Sequence, residues 1–444
     1  MTEFLDRFFK LKQNGTSVRT EVIAGITTFA AMSYILIVNP AILSEAGMDT
    51  ATLITVTALA AAVGTILLAF LTNYPLAMAP GMGLNAFFAY TICIGMGIPW
   101  QAALALVFYN GILFLALSFT GLRSKIADSI PHSLKVAITC GIGLFIAFIG
   151  FKNAGIIVAS DATFVTIGDL SSPVPLLILF GVFITLILVG RKIPGAILIS
   201  ILIISIIGLF VPASEDGSTM TSLPSEIISM PKGIEATFFA LDFMYPLENI
   251  LVVWPIILSL LFVDLFDTLG TLIGVSNRAG LLDENGRLPK MGKALTADAS
   301  ATIIGALLGT STSTTYVESA AGVEEGGRTG LTALVVAACF LLAIFFTPLI
   351  LAVPATATAP ALIVVGIFMM QGASELDLSD FTIAAPAVIT MLIMPLAFSI
   401  SEGIALGIMA FVFLMAGLGR FREIHPIAWV LAILFLLYYL FIGL

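Results

Sequence analysis

Leu260-Leu-Phe-Val-Asp-Leu-Phe-Asp-Thr-Leu-Gly-Thr-Leu-Ile-Gly274 sets two acids, Asp264 and Asp267, inside an otherwise apolar run. On a helix, residues three apart lie on one face. One stripe of this helix is therefore acidic and the rest is apolar. An ionised carboxylate at the centre of a bilayer costs about 2.5–3.5 kcal/mol or more, so the stripe faces protein or trapped water. An intramembrane acid of this kind is a functional-site candidate by default.

The rest of the chain supplies the membrane. Of its 444 residues, 59% are hydrophobic and 10% charged, against roughly 25% charged in an average soluble domain. Apolar segments near the ~20 residues needed to span recur along nearly the whole length. They predict an all-α polytopic membrane protein of about fourteen segments, with no sizeable soluble domain. Residues 1–19 read as a cytoplasmic amphipathic N-terminus without the features of a signal peptide. Residues 20–212 hold seven spans, 213–245 form a polar extracytoplasmic linker, and 246–418 hold seven more. Residues 419–444 carry a last apolar segment, 426–443, which either spans or lies against the bundle. Cys93, Cys140 and Cys339 fall in apolar runs with no metal-site spacing and read as free thiols. No metal and no resident cofactor is implied.

With the N-terminus in the cytoplasm and spans alternating, only Lys152 and Lys232 of the 18 Lys and Arg residues fall on the outer side. That is a strong positive-inside bias and places the chain in the cell membrane as a multi-pass protein. The halves also look alike. Ile130-Pro131 and Val353-Pro354 each open the fifth span of a half, and Pro80-Gly-Met-Gly-Leu-Asn85 sits where Gly309-Thr-Ser-Thr-Ser-Thr-Thr-Tyr-Val-Glu318 sits in the other. Seven is odd, so the second copy enters from the opposite side. This is an inverted repeat of the kind found in secondary transporters.

Pro80-Gly81-Met82-Gly83 and the hydroxyl run Thr310–Tyr316 are poor plain helices. Both read as extended stretches leading into short helices, in segments 3 and 10. Such backbone is tolerated in a membrane only where protein buries it or a cavity lies beside it. Interrupted segments at matching positions of two repeats point to a binding site. Asn85 and Glu318 are the polar side chains they carry. With Asp264 and Asp267 these groups suit a neutral, planar, polar ring: carboxylates accept from N–H groups, while Asn and free backbone amides donate. Gly83 and Thr315, at the breaks, complete the candidate contacts. Asp267, Asp264 and Glu318 are the candidates for proton coupling, since a buried carboxylate can bind a proton and release it when the site changes face. No Lys or Arg is placed near these residues, which argues against an anion carrier. Two further readings stay open. The acids could only cap neighbouring broken helices, or Asp264 and Asp267 could form the dyad of an intramembrane aspartyl hydrolase.

At these residues the chain resembles a known family. Ala79-Pro-Gly-Met-Gly-Leu-Asn-Ala-Phe-Phe-Ala-Tyr90, Phe262-Val-Asp-Leu-Phe-Asp-Thr-Leu-Gly270 and Val317-Glu-Ser-Ala-Ala-Gly-Val-Glu-Glu-Gly-Gly-Arg-Thr-Gly330 are similar to signatures of the AzgA-like purine permeases, a branch of the nucleobase–cation symporter-2 group. The resemblance implies two inverted seven-span repeats forming a core and a gate domain, with short antiparallel strands in segments 3 and 10. It assigns substrate contact to Asp264, Glu318 and Asn85 and marks Asp267 as a second sensitive acid. It further implies proton symport of a purine base, with guanine or hypoxanthine expected and adenine the alternative. It also implies elevator-like movement and a homodimer through the gate.

Overall fold

The computed structural model describes residues 2–120, 130–213, 218–284 and 287–441. Arg123 and Lys125, counted in the charge asymmetry, and residues 442–443 of the last apolar segment lie outside these. Among the described residues, nine helices are long and apolar enough to cross a membrane, and four apolar helices are shorter. After α1 (Thr2–Phe9) the first apolar run is split at Ser33-Tyr34 into α2 (Val18–Met32) and α3 (Ile35–Ser44). Then come α4 (Thr50–Thr72), β1 (Met78–Pro80) and α5 (Met82–Ala86), which passes into a π-helix, Phe87–Gly95. Next are α6 (Trp100–Thr120), α7 (His132–Asn153), a hairpin of β2 (Ile157–Ser160) and β3 (Phe164–Ile167), α8 (Pro173–Gly190) and α9 (Ala196–Gly208).

After the loop come α10 (Tyr245–Glu248), α11 (Ile250–Arg278), α12 (Met291–Leu308), β4 (Ser313–Thr315) and α13 (Ser319–Glu324). The chain ends with α14 (Gly330–Ala343), α15 (Thr347–Leu351), α16 (Ala359–Met370), α17 (Phe381–Leu396), α18 (Ile400–Gly417) and α19 (Pro426–Phe441). The helix α19 lies against α18, where the Tyr439 hydroxyl donates to the Glu402 carboxylate, and its Phe435 ring stacks on Trp254 of α11 at 5.4 Å.

The helices sort into two packed groups. In one, α2, α4, α6, α12, α13 and α14 surround the β1–β4 pair, with α11 against α6 and β4. In the other, α7 packs on α16, α17 and α18, and α8 packs on α9 and α16. The strands β1 and β4 pair antiparallel in the middle of the first group, Met78 opposite Thr315 and Pro80 opposite Ser313. Extended backbone there leaves its outer edges without ladder partners, and the neighbours supply them. The Thr65 hydroxyl accepts from the Met78 amide (2.9 Å) and donates to its carbonyl (3.0 Å). Thr302 donates to the Ser313 carbonyl, 3.3 Å, and Tyr316 to the Pro80 carbonyl, 2.5 Å.

The 213–245 stretch, read from sequence as a linker, is docked where described. The Phe239 amide donates to the Leu307 carbonyl, Thr237 Oγ1 to the Leu308 carbonyl and the Asp242 amide to the Gln101 carbonyl, at 2.9, 2.9 and 3.0 Å. Fully buried Glu21 was not singled out by sequence. It caps the start of α14, accepting from the amides of Arg328, Thr329 and Thr332 and the hydroxyls of Thr329 and Thr332 at 2.7–3.2 Å. Losing a carboxylate that satisfies this many buried donors should cost ~3 kcal/mol. Glu21→Ala is expected to lower the melting temperature of the purified protein in detergent well below that of Glu21→Gln; equal melting of wild type and both variants would remove the cap from the account.

Asp49 caps α4, its carboxylate accepting from the Thr52 hydroxyl (2.7 Å) and amide (2.8 Å). These two bonds hold its carboxyl below the usual range. A depressed carboxyl stabilises the fold above its unfolded pKa of about 3.9 and loses that contribution as pH falls through the lower folded value. Asp49→Ala should destabilise by ~1 kcal/mol near neutral pH, and the gap to wild type should close on acidification below about pH 4. Melts recorded across that range check both the sign and the window.

Candidate functional site

Pro80 has no amide hydrogen and Gly81 is extended, so the third segment cannot start as a helix. Its Gly81 amide instead donates to the Thr312 carbonyl, 2.9 Å, and the Tyr316 amide to the Ala77 carbonyl, 3.0 Å, at the two ends of the strand pair. The candidate side chains gather around this pair. Asn85, fully buried on α5, accepts from the Ser311 hydroxyl and donates at 3.4 Å to the Pro80 carbonyl, so one short helix is tied to the opposite strand segment. Glu318, half-buried just before α13, accepts a 2.5 Å bond from the Tyr34 hydroxyl at the break between α2 and α3. Asp267 is half-buried and lies within electrostatic reach of Glu318, and the Tyr316 hydroxyl lies within reach of both. Asp264 is fully buried one turn away and accepts from Asn110 Nδ2 of α6 at 3.5 Å.

The remaining candidates are structural elements of the same place. Gly83 touches α7: a Cβ there would come within 2.8 Å of Ile142 Cγ2, so only glycine permits this approach. Thr315 is buried at the strand register opposite Met78, and its Oγ1 finds no protein partner. Asp298 lies well inside α12, fully buried, and accepts from Thr268 Oγ1 at 3.0 Å on both oxygens. Thr268 also bonds Thr314 Oγ1, 2.9 Å, which couples the acidic helix α11 to strand β4.

Sequence reasoning missed Tyr34, Asn110 and Thr268. An Asn in the apolar run Ala102–Leu117 was a weak signal for Asn110; nothing local marked Thr268. Among the described residues, no group of three or more His, Cys, Asp or Glu side chains could hold a metal ion. A surface hollow of about 550 Å³ lined by Pro173, Leu176, Phe180 and Phe183 is apolar and offers no group to recognise a polar ligand. The strand pair brings together carboxylates that accept, an amide side chain, and backbone held out of regular helix.

A broken-helix bundle with paired strands and buried acids at its centre defines a membrane transport protein. The family model described as the Permease family matches residues 19–406. The adenine permease AdeP of Escherichia coli is 44% identical over 438 residues, covering 99% of this chain and 96% of its own length. The guanine/hypoxanthine permease PbuG of Bacillus subtilis is 44% identical over 448 residues, covering 98% and 99%. The transmembrane domain of the cyanobacterial bicarbonate transporter BicA shares the fold at a TM-score of 0.60 with 16% identity, over 89% of this chain and 97% of that one. This chain belongs to the Permease family. It is a multi-pass membrane transporter and not an enzyme, and the hydrolase reading of Asp264 and Asp267 is set aside.

If Tyr34 orients Glu318, Tyr34→Phe should weaken ligand binding about fivefold, the value of one hydrogen bond, while Tyr34→Ala should weaken it further. Unchanged affinity in Tyr34→Phe, measured by calorimetry on purified protein, would make the tyrosine a bystander.

Proposed function

We propose that this chain imports purine nucleobases, guanine or hypoxanthine first, in symport with protons. The observation that supports the reading is that the acidic helix α11 is tied to β4 through Thr268 and Thr314, with Glu318 held by Tyr34 just beyond β4 and Asn85 on the short helix after β1. Carboxylates accept from ring N–H and amino groups, and Asn85 and strand-edge amides donate to ring nitrogens and carbonyls. Asp264, Glu318, Asn85, Gly83 and Thr315 form the substrate site in this reading. Asp267, with Asp264 or Glu318, carries the proton, since acids inside a membrane serve as proton relays.

Fourteen segments in two inverted seven-span repeats, 20–212 and 246–418, complete the architecture, with the N-terminus cytoplasmic. The packed group around the strands acts as core and the group around α7 as gate, through which two copies pair. The core moves against the gate as an elevator. Adenine preference is the second reading, because the relatives named for adenine and for guanine/hypoxanthine are both 44% identical. The likeness to a bicarbonate transporter, at 16% identity, is one of fold and does not carry over its cargo.

Uptake of radiolabelled hypoxanthine and adenine into proteoliposomes tests this. Uptake should follow an inward proton gradient and collapse with it; uptake indifferent to the gradient ends the symport assignment. Glu318→Gln and Asp264→Asn should each weaken base binding about 10–100-fold, as expected for loss of a charged hydrogen bond. Full affinity in either variant takes that residue out of the site.

A further inference from the structure

Two departures from regular backbone meet at one contact. The third segment continues beyond Asn85 as a π-helix, Phe87–Gly95, which holds Tyr90. Between α17 and α18, Phe398 sits in the left-handed region with φ +54°. That position follows a helix C-cap, where glycine normally takes this conformation without strain. A bulky aromatic residue there is an outlier, and an outlier of this kind motivates a functional reading.

The Phe398 ring explains its presence. It lies edge-on to Tyr90 (centroids 5.9 Å), Phe145 (5.2 Å) and Phe148 (6.0 Å), joining the third segment to α7 and to the α17–α18 turn. Its carbonyl accepts from Thr91 Oγ1 at 3.4 Å. The exposed Lys152 ammonium lies 5.3 Å from the Phe398 ring centre and 5.8 Å from that of Tyr90, whose hydroxyl accepts from Asn153 Nδ2 at 3.2 Å. Ile142, Phe145, Phe148 and Lys152 follow helical spacing on α7. Ile142 touches Gly83 at the site, so this face leads from the site to the exposed end of α7 in ~15 Å.

We propose that Phe398, with Tyr90, Phe145 and Lys152, is the gating contact that closes the passage between the site and the mouth marked by Lys152. The strained turn, backed by Phe145 and Phe148 of its own group, holds the ring against Tyr90 of the third segment. Parting of the two groups releases the ring and opens that mouth. The proposal rests on the transport reading above, though its test needs no substrate.

The reporter is a cysteine at Ile142 in a background with Cys93, Cys140 and Cys339 changed to serine. It is labelled with a membrane-impermeant maleimide on intact cells and on inside-out vesicles. Phe398→Ala should raise the labelling rate about fivefold from the Lys152 side alone, the effect of losing the one edge-to-face pair, with Tyr90, that spans the boundary. Phe398→Gly, which also relieves the strained φ, should do at least the same. Lys152→Gln removes only an exposed cation and should raise it about two- to fivefold, so the test stands even if the Phe398 variants fail to fold. Unchanged rates in Lys152→Gln, or an equal rise from both sides in a folded Phe398 variant, overturn the gate. Labelling can fail while purine binding holds, or succeed where binding fails, so the two readings are judged separately.

Discussion

Backbone amides and carbonyls removed from helix inside an apolar bundle must find partners, because the surrounding hydrocarbon offers none. The β1–β4 pair is the answer this chain gives, and much else follows from it. Each strand satisfies the inner edge of the other. The outer edges need hydroxyls from neighbouring helices, which is why Thr65 of α4 and Thr302 of α12 are fully buried. Tyr316 and Ser319 serve the ends, the latter by accepting from the Ala77 amide at 3.0 Å. Two short helices, α5 and α13, then start on either side of the pair, with Asn85 on the first and Glu318 at the start of the second.

The same constraint explains what the sequence made legible. A proline followed by two glycines within three residues, and a run of six Ser and Thr between Gly309 and Tyr316, have no good helical reading in lipid, so both breaks could be located. Acids in apolar runs stand out for an equally simple reason, their transfer cost, and Asp264 and Asp267 were found that way. The partners were not legible. Thr57 and Thr72 each donate to the carbonyl four residues back, at 2.6 Å, as any threonine in a membrane helix can. Nothing local distinguishes them from Thr268, whose hydroxyl reaches Asp298 and Thr314 instead. Tyr34 and Glu318 are separated by 284 positions and Asn110 and Asp264 by 154, so their pairing is a product of packing alone.

Glu21 shows a related blind spot. It stands at a helix start among Arg19 and Thr20, where a solvated acid is unremarkable by sequence. Its burial is forced by the second half of the chain, which brings the bare amides of the α14 N-terminus against it. The polar stretch after α9 shows another pairing that only packing creates: it docks on the open carbonyls at the end of α12 and on the Gln101 carbonyl at the start of α6.

The interfaces of the two packed groups differ in kind. Within the second group, α7 and α16 meet through glycines: a Cβ on Gly143 would lie 2.7 Å from the Gly366 carbonyl oxygen, and one on Gly366 would lie 2.4 Å from the Gly143 carbonyl oxygen. Backbones that approach this closely have no slack for sliding and hold the helices as one body. Between the groups the third segment meets α7 and the α17–α18 turn through the Tyr90 ring edge, a long lysine stem, an amide donor and a single carbonyl contact, beside the close approach of Gly83 to Ile142. Side-chain contacts of that sort can be broken and remade by rotamer changes without disturbing helix hydrogen bonds. Apart from the Gly83 approach, the second group thus keeps its rigid contacts inside and its remakeable ones across the boundary, beside the segment that carries Asn85.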